Sequence, residues 1–251
     1  MEWALQLALS KAGILIGAFI GLLALEKIFP AVKLRVQFPR MLKNFSLAGL
    51  NIVLSPFIVV PITLLAAQFQ LSWRPQWFTG IIFDLILLDC WIYFWHRANH
   101  AIPLLWRFHE VHHLDEALDV SSALRFHFGE VILSSLMRAM IILLLGVPIT
   151  SVVIFEVLVT VAAMFHHSNI RLPQWLEVPL SYVIVTPSIH FLHHHALRED
   201  TDSNYATGFS VWDRIFGSRN GNARTQGMVM GIEGQGDVSL PRLIFRPFWF
   251  K

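Results

Sequence analysis

Eleven of the twelve histidines lie in four short clusters, and this concentration of imidazole is the first feature of the sequence that could do chemistry. The clusters are HRANH (96–100), HEVHH (109–113), FHHSN (165–169) and HFLHHH (190–195). In three of them histidines stand three or four residues apart, which places them on one face of a helix. Imidazole binds iron, zinc, copper and nickel, so the clusters predict a metal site. About nine or ten imidazoles exceed what one ion can bind, which predicts two metal ions side by side.

Two polar residues continue the helical face of His96 and His100. Asp89 and Tyr93 precede His96 at steps of four and three residues. An aspartate inside an apolar segment is costly unless it has a function. We therefore expect Asp89 to accept a proton from a ligand imidazole and to fix its tautomer. His195 lies off the face of its neighbours and is expected outside the ligand set.

The HEVHH cluster leaves an alternative open. It also matches H-E-x-x-H, the pattern of zinc metalloproteases, in which Glu110 would be the general base. A membrane-embedded zinc protease needs two histidines and one further carboxylate, which leaves the other clusters without a function. Soluble di-iron bundles use several glutamates, and here only Glu110 to His113 fits their E-x-x-H motif. The single cysteine, Cys90, excludes an iron–sulfur cluster and a thiolate zinc site.

The composition is that of a membrane protein. Of 251 residues, 55% are hydrophobic and 14% charged, and the mean hydropathy is +0.57. A span needs about 20 apolar residues, and the predicted spans are 3–25, 45–69, 77–96 and a helical hairpin at 131–165 interrupted by Gly146 and Pro148. Arg138 and Glu156 are equidistant from the hairpin tip, which predicts an ion pair between its helices.

The charged residues predict the orientation. The first loop carries Lys27, Lys33, Arg35, Arg40 and Lys43, which places it in the cytoplasm. The N-terminus is then outside, and every histidine cluster lies at the cytoplasmic face of a multi-pass integral membrane protein. A formal net charge of +2 without a basic stripe predicts no binding of nucleic acid. The C-terminal stretch 240–250, which mixes aromatics with arginine, is expected at the membrane interface.

The histidine clusters resemble those of a known family. H-x-x-x-H at 96–100 and H-x-x-H-H at 109–113 and 190–194, arranged around a hydrophobic hairpin, resemble the fatty acid hydroxylase/sterol desaturase superfamily of membrane di-iron oxygenases. The resemblance runs from about Asp84 to Gly217. It includes RFH ending at His127, HHSN at 166–169, and NYATGFSVWDRIFGS at 204–218, in which Ala206 and Ser218 replace the usual glycine and threonine.

The resemblance implies a fold and a ligand set. The fold is all-α and polytopic, with about four to five transmembrane or hairpin helices and a cytosolic helical cap that holds two metals. One domain covers 1–251, with anchor helices at 1–76, the catalytic region at 77–217 and a tail at 218–251. The implied ligands are His96, His100, His109, His112, His113, His190, His193 and His194, with His127 and His167 as additions. His167 is narrowly preferred to His166, and Asp89 and Tyr93 are the candidate catalytic residues.

The resemblance also implies the reaction. Two iron ions and dioxygen would hydroxylate, or desaturate, an unactivated C–H position of a membrane lipid such as a sterol, fatty acyl, sphingoid or ether lipid. The chain has no flavin or nicotinamide fingerprint and no cysteine cluster. Electrons are therefore expected from a separate donor of ferredoxin or cytochrome type with its reductase.

Overall fold

The protein is mostly helical. The computed structural model describes residues 2–34, 38–69, 71, 80–225 and 227–249, with side chains from residue 10 onward. Its α-helices are α1 Glu2–Ile28, α2 Phe38–Leu54, α3 Val59–Gln68, α4 Ile81–Ala101, α5 Pro103–His113, α6 Phe128–Leu145, α7 Ile149–His167, α8 Gln174–Ser181, α9 Pro187–His193, α10 Arg198–Thr201, α11 Val211–Ile215 and α12 Leu240–Phe245. Short 3₁₀ turns cover Val120–Leu124 and Arg246–Phe248. Within these ranges only isolated β-bridges form, so the expected absence of a sheet holds for the described residues.

Two of the described helices, α6 and α7, are long and apolar enough to cross a membrane. They confirm the predicted hairpin. Helices α2 and α3 make a third candidate span if they count as one, although they are bent by 44°. The segment 3–25 lies within α1, and the predicted span 77–96 lies largely within α4. Residues 77–79 of that span, and the domain boundary at 76/77, lie outside the described residues, and the total of four to five membrane helices stays a prediction.

The segment 45–69 forms two helices where the sequence predicts one continuous span. Helix α2 ends at Leu54 and α3 begins at Val59. Pro56 lies in the connection, and proline offers no N–H and disfavours helical backbone at the residue before it. The apolar composition therefore predicts where the helical segment ends, at Gln68, but neither the start of α2 at Phe38 nor the bend.

The hairpin turn depends on Gly146. This residue ends α6 in the left-handed conformation, with φ of +60°, and its N–H donates to the carbonyl of Ile142. A Cβ at this position would lie 2.9 Å from the backbone oxygen of Leu71. Pro148 then precedes the first turn of α7. The two helices pack with α3 and α4 around Leu88, Ile142, Val147, Val152 and Phe155.

Buried ion pairs attach α2 to the segment between α5 and α6 and to Asp237. Arg40 pairs with Asp115 at 2.7 Å and also with Asp119, and Lys43 pairs with Asp237. Arg40 and Lys43 are therefore neutralised residues of α2 and do not count as free loop charges. Arg35 lies outside the described residues, so the predicted orientation rests on Lys27 and Lys33 and stays a prediction.

The ion pair predicted across the hairpin is confirmed. Arg138 Nη2 lies 2.9 Å from Glu156 Oε1. The same carboxylate contacts Lys11 of α1, whose Nζ lies 2.5 Å from Oε2. The sequence did not reveal this third member, which comes from a helix far away in the chain.

The described part of the tail, 240–249, packs against α2 and α5. Leu243 is buried with Leu47, Val111 and Leu114. The apolar side chains at 245, 248 and 249 are exposed, so the predicted contact with the membrane interface stays a prediction.

Replacing Gly146 by alanine tests the hairpin turn. The left-handed backbone and the close approach of Leu71 lead us to expect a loss of about 1–2 kcal/mol in the free energy of unfolding. The matched control is Gly49→Ala in α2, where nothing lies within 4 Å of an added Cβ and helix propensity favours alanine. Thermal unfolding in detergent should show a lower Tm for G146A and an unchanged or higher Tm for G49A. Equal Tm values in both variants would contradict this account of the turn.

Candidate metal centre

Nine histidines converge into two adjacent groups. The five-histidine group consists of His96, His100, His109, His113 and His193. The four-histidine group consists of His112, His167, His190 and His194. Within each group, one ring nitrogen per residue lies within 4.8 Å of those of all the other members. The two groups agree with the prediction of two metal positions.

The helical spacing within the clusters explains how the histidines divide. In α5, His109 and His113 are four residues apart and face the five-histidine group, whereas His112 faces the other. In and just after α9 the assignment is reversed. His190 and His194 face the four-histidine group, and His193 faces the five-histidine group. Each H-x-x-H-H motif therefore supplies both groups.

Backbone carbonyls fix the tautomers of four of these rings. The Nδ1 atoms of His96 and His193 lie 2.7 Å from the carbonyl oxygens of Tyr205 and Ser203. In the four-histidine group, the Nδ1 atoms of His112 and His167 lie 3.2 and 2.7 Å from the carbonyl oxygens of Arg125 and Ala163. A carbonyl only accepts, so each Nδ1 carries the proton. Each Nε2 is then left with a lone pair.

These lone pairs point at one another. His193 Nε2 lies 3.0 Å from His96 Nε2, and His167 Nε2 lies 3.0 Å from His112 Nε2. Burial lowers the pKa of His193 to about 3 and holds the pKa of His112 well below its usual value, so neither ring is protonated at neutral pH. No proton is available to join the facing nitrogens. A cation between them is the partner that this donor set fits.

The spacing of the nitrogens also bears on the kind of cation. In the five-histidine group the Nε2 of His109 lies 3.1 Å from that of His96 and 3.2 Å from that of His113. Adjacent ligands about 2.1 Å from an ion and at right angles are about 3.0 Å apart, whereas tetrahedral ligands are about 3.4 Å apart. The buried Nε2 of His100 has no hydrogen-bond partner among the described residues. Five converging imidazoles, three pairs of which lie 3.0–3.2 Å apart, are more than the four ligands that a tetrahedral zinc takes.

Two carboxylates support the five-histidine group. Glu130 Oε1 lies 2.8 Å from His109 Nδ1, and Asp202 Oδ1 lies 3.2 Å from His100 Nδ1. A carboxylate at this nitrogen orients the ring and strengthens it as a ligand. Neither Glu130 nor Asp202 was expected from the sequence. Glu130 could have been found in the sequence as an acidic residue at the start of an apolar helix.

Asp89 has a different role from the one expected. Its carboxylate accepts hydrogen bonds from the backbone N–H of Phe209 at 2.9 Å and from Trp212 Nε1 at 2.7 Å, and no described hydrogen bond joins it to an imidazole. It also lies so close to Gly208 that a side chain there would clash with it. Asp89 thus fixes the segment that follows Tyr205, and it acts on His96 only through the backbone.

Tyr93 belongs to the same support. Its hydroxyl lies 2.8 Å from Ser218 Oγ, and its buried ring stacks on Phe216. Asp213 accepts hydrogen bonds from the N–H groups of Tyr205 and Ala206. The NYATGFSVWDRIFGS segment therefore positions the carbonyl that fixes His96, and the sequence motif has a structural explanation.

Three further histidines lie outside both groups. His127 caps α6, accepting at Nδ1 from the N–H of Gly129, and its Nε2 lies 2.9 Å from the carbonyl of Ile244. Both of its nitrogens are bonded to backbone, which corrects the expectation that it is a ligand. The structure brings His167 and not His166 into the four-histidine group, and His195 bonds to Asp200 at 2.6 Å.

The position of Glu110 does not suit the general base of a protease. It faces away from the histidines and forms an ion pair with Arg246, whose Nε lies 2.9 Å from Oε1. His109 and His113 meanwhile share their group with three other imidazoles. The arrangement leaves the H-E-x-x-H pattern without the features of a zinc protease site.

A cavity of about 940 Å³ connects the histidines with the membrane helices. One end is lined by His96, His109, His112 and Glu130, among others. Side chains of α1, α2, α3, α4, α6 and α7 form the remaining walls. Cavities of this size accommodate large apolar ligands.

The fatty acid hydroxylase family model matches residues 81–218, more than half of the chain and all nine converging histidines. The chain belongs to the fatty acid hydroxylase family. The curated proteins to which the chain is similar include lipid hydroxylases and monooxygenases. The resemblance that the histidine clusters carried is thus confirmed.

Three curated relatives show the range of the similarity. The chain is 25% identical to an ornithine lipid hydroxylase of Rhizobium tropici over 70% of this chain and 53% of the relative. It is 28% identical to human alkylglycerol monooxygenase over 60% of this chain and 32% of the relative. It is 27% identical to human cholesterol 25-hydroxylase over 55% and 50%. The chain thus spans about half or less of the length of these three relatives. No solved structure matches it.

Replacing Glu130 by alanine tests the support of the five-histidine group. Loss of the carboxylate at His109 Nδ1 should lower metal affinity about 10–100-fold. The matched control is Glu110→Ala, which breaks the pair with Arg246 and leaves the ligands unchanged. The measurement is metal retained per chain in a series of chelator concentrations. A larger loss of metal in E110A than in E130A would overturn this account of the support.

Proposed function

We propose that this chain is a di-iron lipid hydroxylase, formed as one domain over 1–251. The observation that carries the proposal is the pair of histidine groups, with lone pairs facing at 3.0 Å, at the end of a cavity that runs between membrane helices. The proposed ligands are the nine converging histidines. The names of the relatives add lipids as the substrate class.

The chemistry explains why metals are needed. An unactivated alkyl C–H bond offers no handle to a side-chain acid, base or nucleophile. Iron and dioxygen would supply the oxidising power, and the protein supplies position and electrostatics. The balanced reaction is R–H + O₂ + 2 e⁻ + 2 H⁺ → R–OH + H₂O. Desaturation would consume the same dioxygen and electrons but form a double bond and two waters.

The protein residues would do three things. The carbonyls of Ser203, Tyr205, Arg125 and Ala163 hold the ligand tautomers, as the distances above describe. Glu130 and Asp202 orient His109 and His100. The cavity walls hold the alkyl chain and exclude water, so that the position of the chain selects the carbon that reacts.

The cellular setting is part of the proposal. We place the histidine site at the cytoplasmic face of a multi-pass membrane protein, on the charges of the first loop. A lipid would enter from the bilayer between the helices. Electrons would come from a separate donor of ferredoxin or cytochrome type that docks on the cap.

Isotopic labelling tests the function. The purified, iron-loaded chain is given oxygen-18 dioxygen, a chemical reductant and, separately, an ornithine lipid, an alkylglycerol, cholesterol and a fatty acid in vesicles. We expect one labelled oxygen in one of these lipids and no product from the His193→Ala variant. A product two hydrogens lighter without label would identify a desaturase. No oxidised lipid from a chain that carries two irons would contradict the proposal.

A further inference from the structure

The end of the cavity far from the histidines is cationic. Lys11 of α1 and Arg138 of α6 both line it. These two cations share one carboxylate, that of Glu156, at 2.5 and 2.9 Å. The cluster therefore has an excess of one positive charge at a depth where apolar helices surround it. An unbalanced charge in such surroundings is costly, and intramembrane charges commonly mark substrate sites.

Arg138 has unused hydrogen-bonding capacity. Its Nε is buried and has no hydrogen-bond partner among the described residues. A guanidinium offers five donors, and the ion pair with Glu156 occupies one edge of the group. An anion entering the cavity would supply the missing acceptor.

The distance between the two ends suits an alkyl chain. Arg138 is eight residues beyond Glu130 on α6, and Glu156 is eleven residues before His167 on α7. At 1.5 Å per residue the cationic end lies about 12–17 Å from the histidines. The side chains that line the cavity between the two ends include Phe19, Val159, Ala163 and Met164. The cavity thus has histidines at one end, two cations at the other and these apolar side chains among its walls.

We propose that Lys11 and Arg138 form an anion site that binds the carboxylate or phosphate of a single-chain amphiphile. The alkyl chain then extends towards the histidines, and the distance between the anion and the metals selects the carbon that is oxidised. Glu156 occupies the same cations when no ligand is bound and competes with the anion. This inference specifies the substrate class of the proposed hydroxylase and rests on that proposal.

Competition between Glu156 and an anionic ligand distinguishes a binding site from an ion cluster that only holds the helices together. If the cluster only holds helices together, Glu156→Gln weakens the fold and does nothing for anions. If the cations are a binding site, the same change removes the competitor and raises anion affinity. The sign of the effect is therefore diagnostic.

The test compares dodecanoate with 1-dodecanol by calorimetry on the purified chain in non-ionic detergent. We expect dodecanoate to bind about tenfold more tightly, since a desolvated ion pair adds to the shared apolar contacts. Lys11→Met should remove this preference, and Lys11→Arg should retain it. Glu156→Gln should increase it. The matched control is Lys27→Met, the same substitution at an exposed lysine of the same helix.

Dodecyl phosphate, tested alongside, shows which anionic head is preferred. Equal binding of dodecanoate and dodecanol in the wild type, or a preference that survives Lys11→Met, would overturn the inference. So would a preference that disappears on removal of metal by chelator, because the carboxylate would then bind at the histidines. If labelled lipid forms without an anion preference, this inference fails alone. An anion preference without oxidised lipid would contradict the proposed hydroxylase but would still support the anion site at Lys11 and Arg138.

Discussion

The electrostatic repulsion between facing imidazole lone pairs is the constraint on which the rest of the site depends. His96 and His193 meet at 3.0 Å in one group, and His112 and His167 meet at the same distance in the other. In all four rings Nδ1 is committed to a backbone carbonyl, so the repulsion cannot be relieved by a change of tautomer. Burial prevents relief by protonation. Cations at both positions convert this repulsion into attraction.

The segments around Ser203–Tyr205 and Arg125 form the framework for three of these carbonyls. Tyr205 and Ser203 belong to a segment fixed by Asp89, Asp213 and the contact of Tyr93 with Ser218. The carbonyl of Arg125 is held because its side chain is fully buried and paired with Asp237 at 2.5 Å. Residues outside both histidine groups thus decide the direction of the imidazole lone pairs. The same arrangement explains why the family match extends beyond the last histidine cluster, to residue 218.

The sequence predicted the features that depend on local periodicity. The histidine faces, the hairpin and the Arg138–Glu156 pair follow from helical spacing and from the position of Gly146 and Pro148. Periodicity could not assign each histidine to a group, because that depends on how α4, α5, α7 and α9 meet. It also missed the partner of Asp89, since Trp212 is 123 residues away in the chain. His127 was wrongly expected to be a metal ligand, because a histidine that caps a helix cannot be told from a ligand in the sequence.

The most direct test of the two-metal account is the iron content of the purified chain, measured by mass spectrometry after dialysis against a weak chelator. The account predicts about two irons per chain, about one in His193→Ala and about one in His167→Ala, because each variant weakens one group and leaves the other. A single tightly held zinc would contradict it. So would one iron in the wild type that is lost from both variants alike.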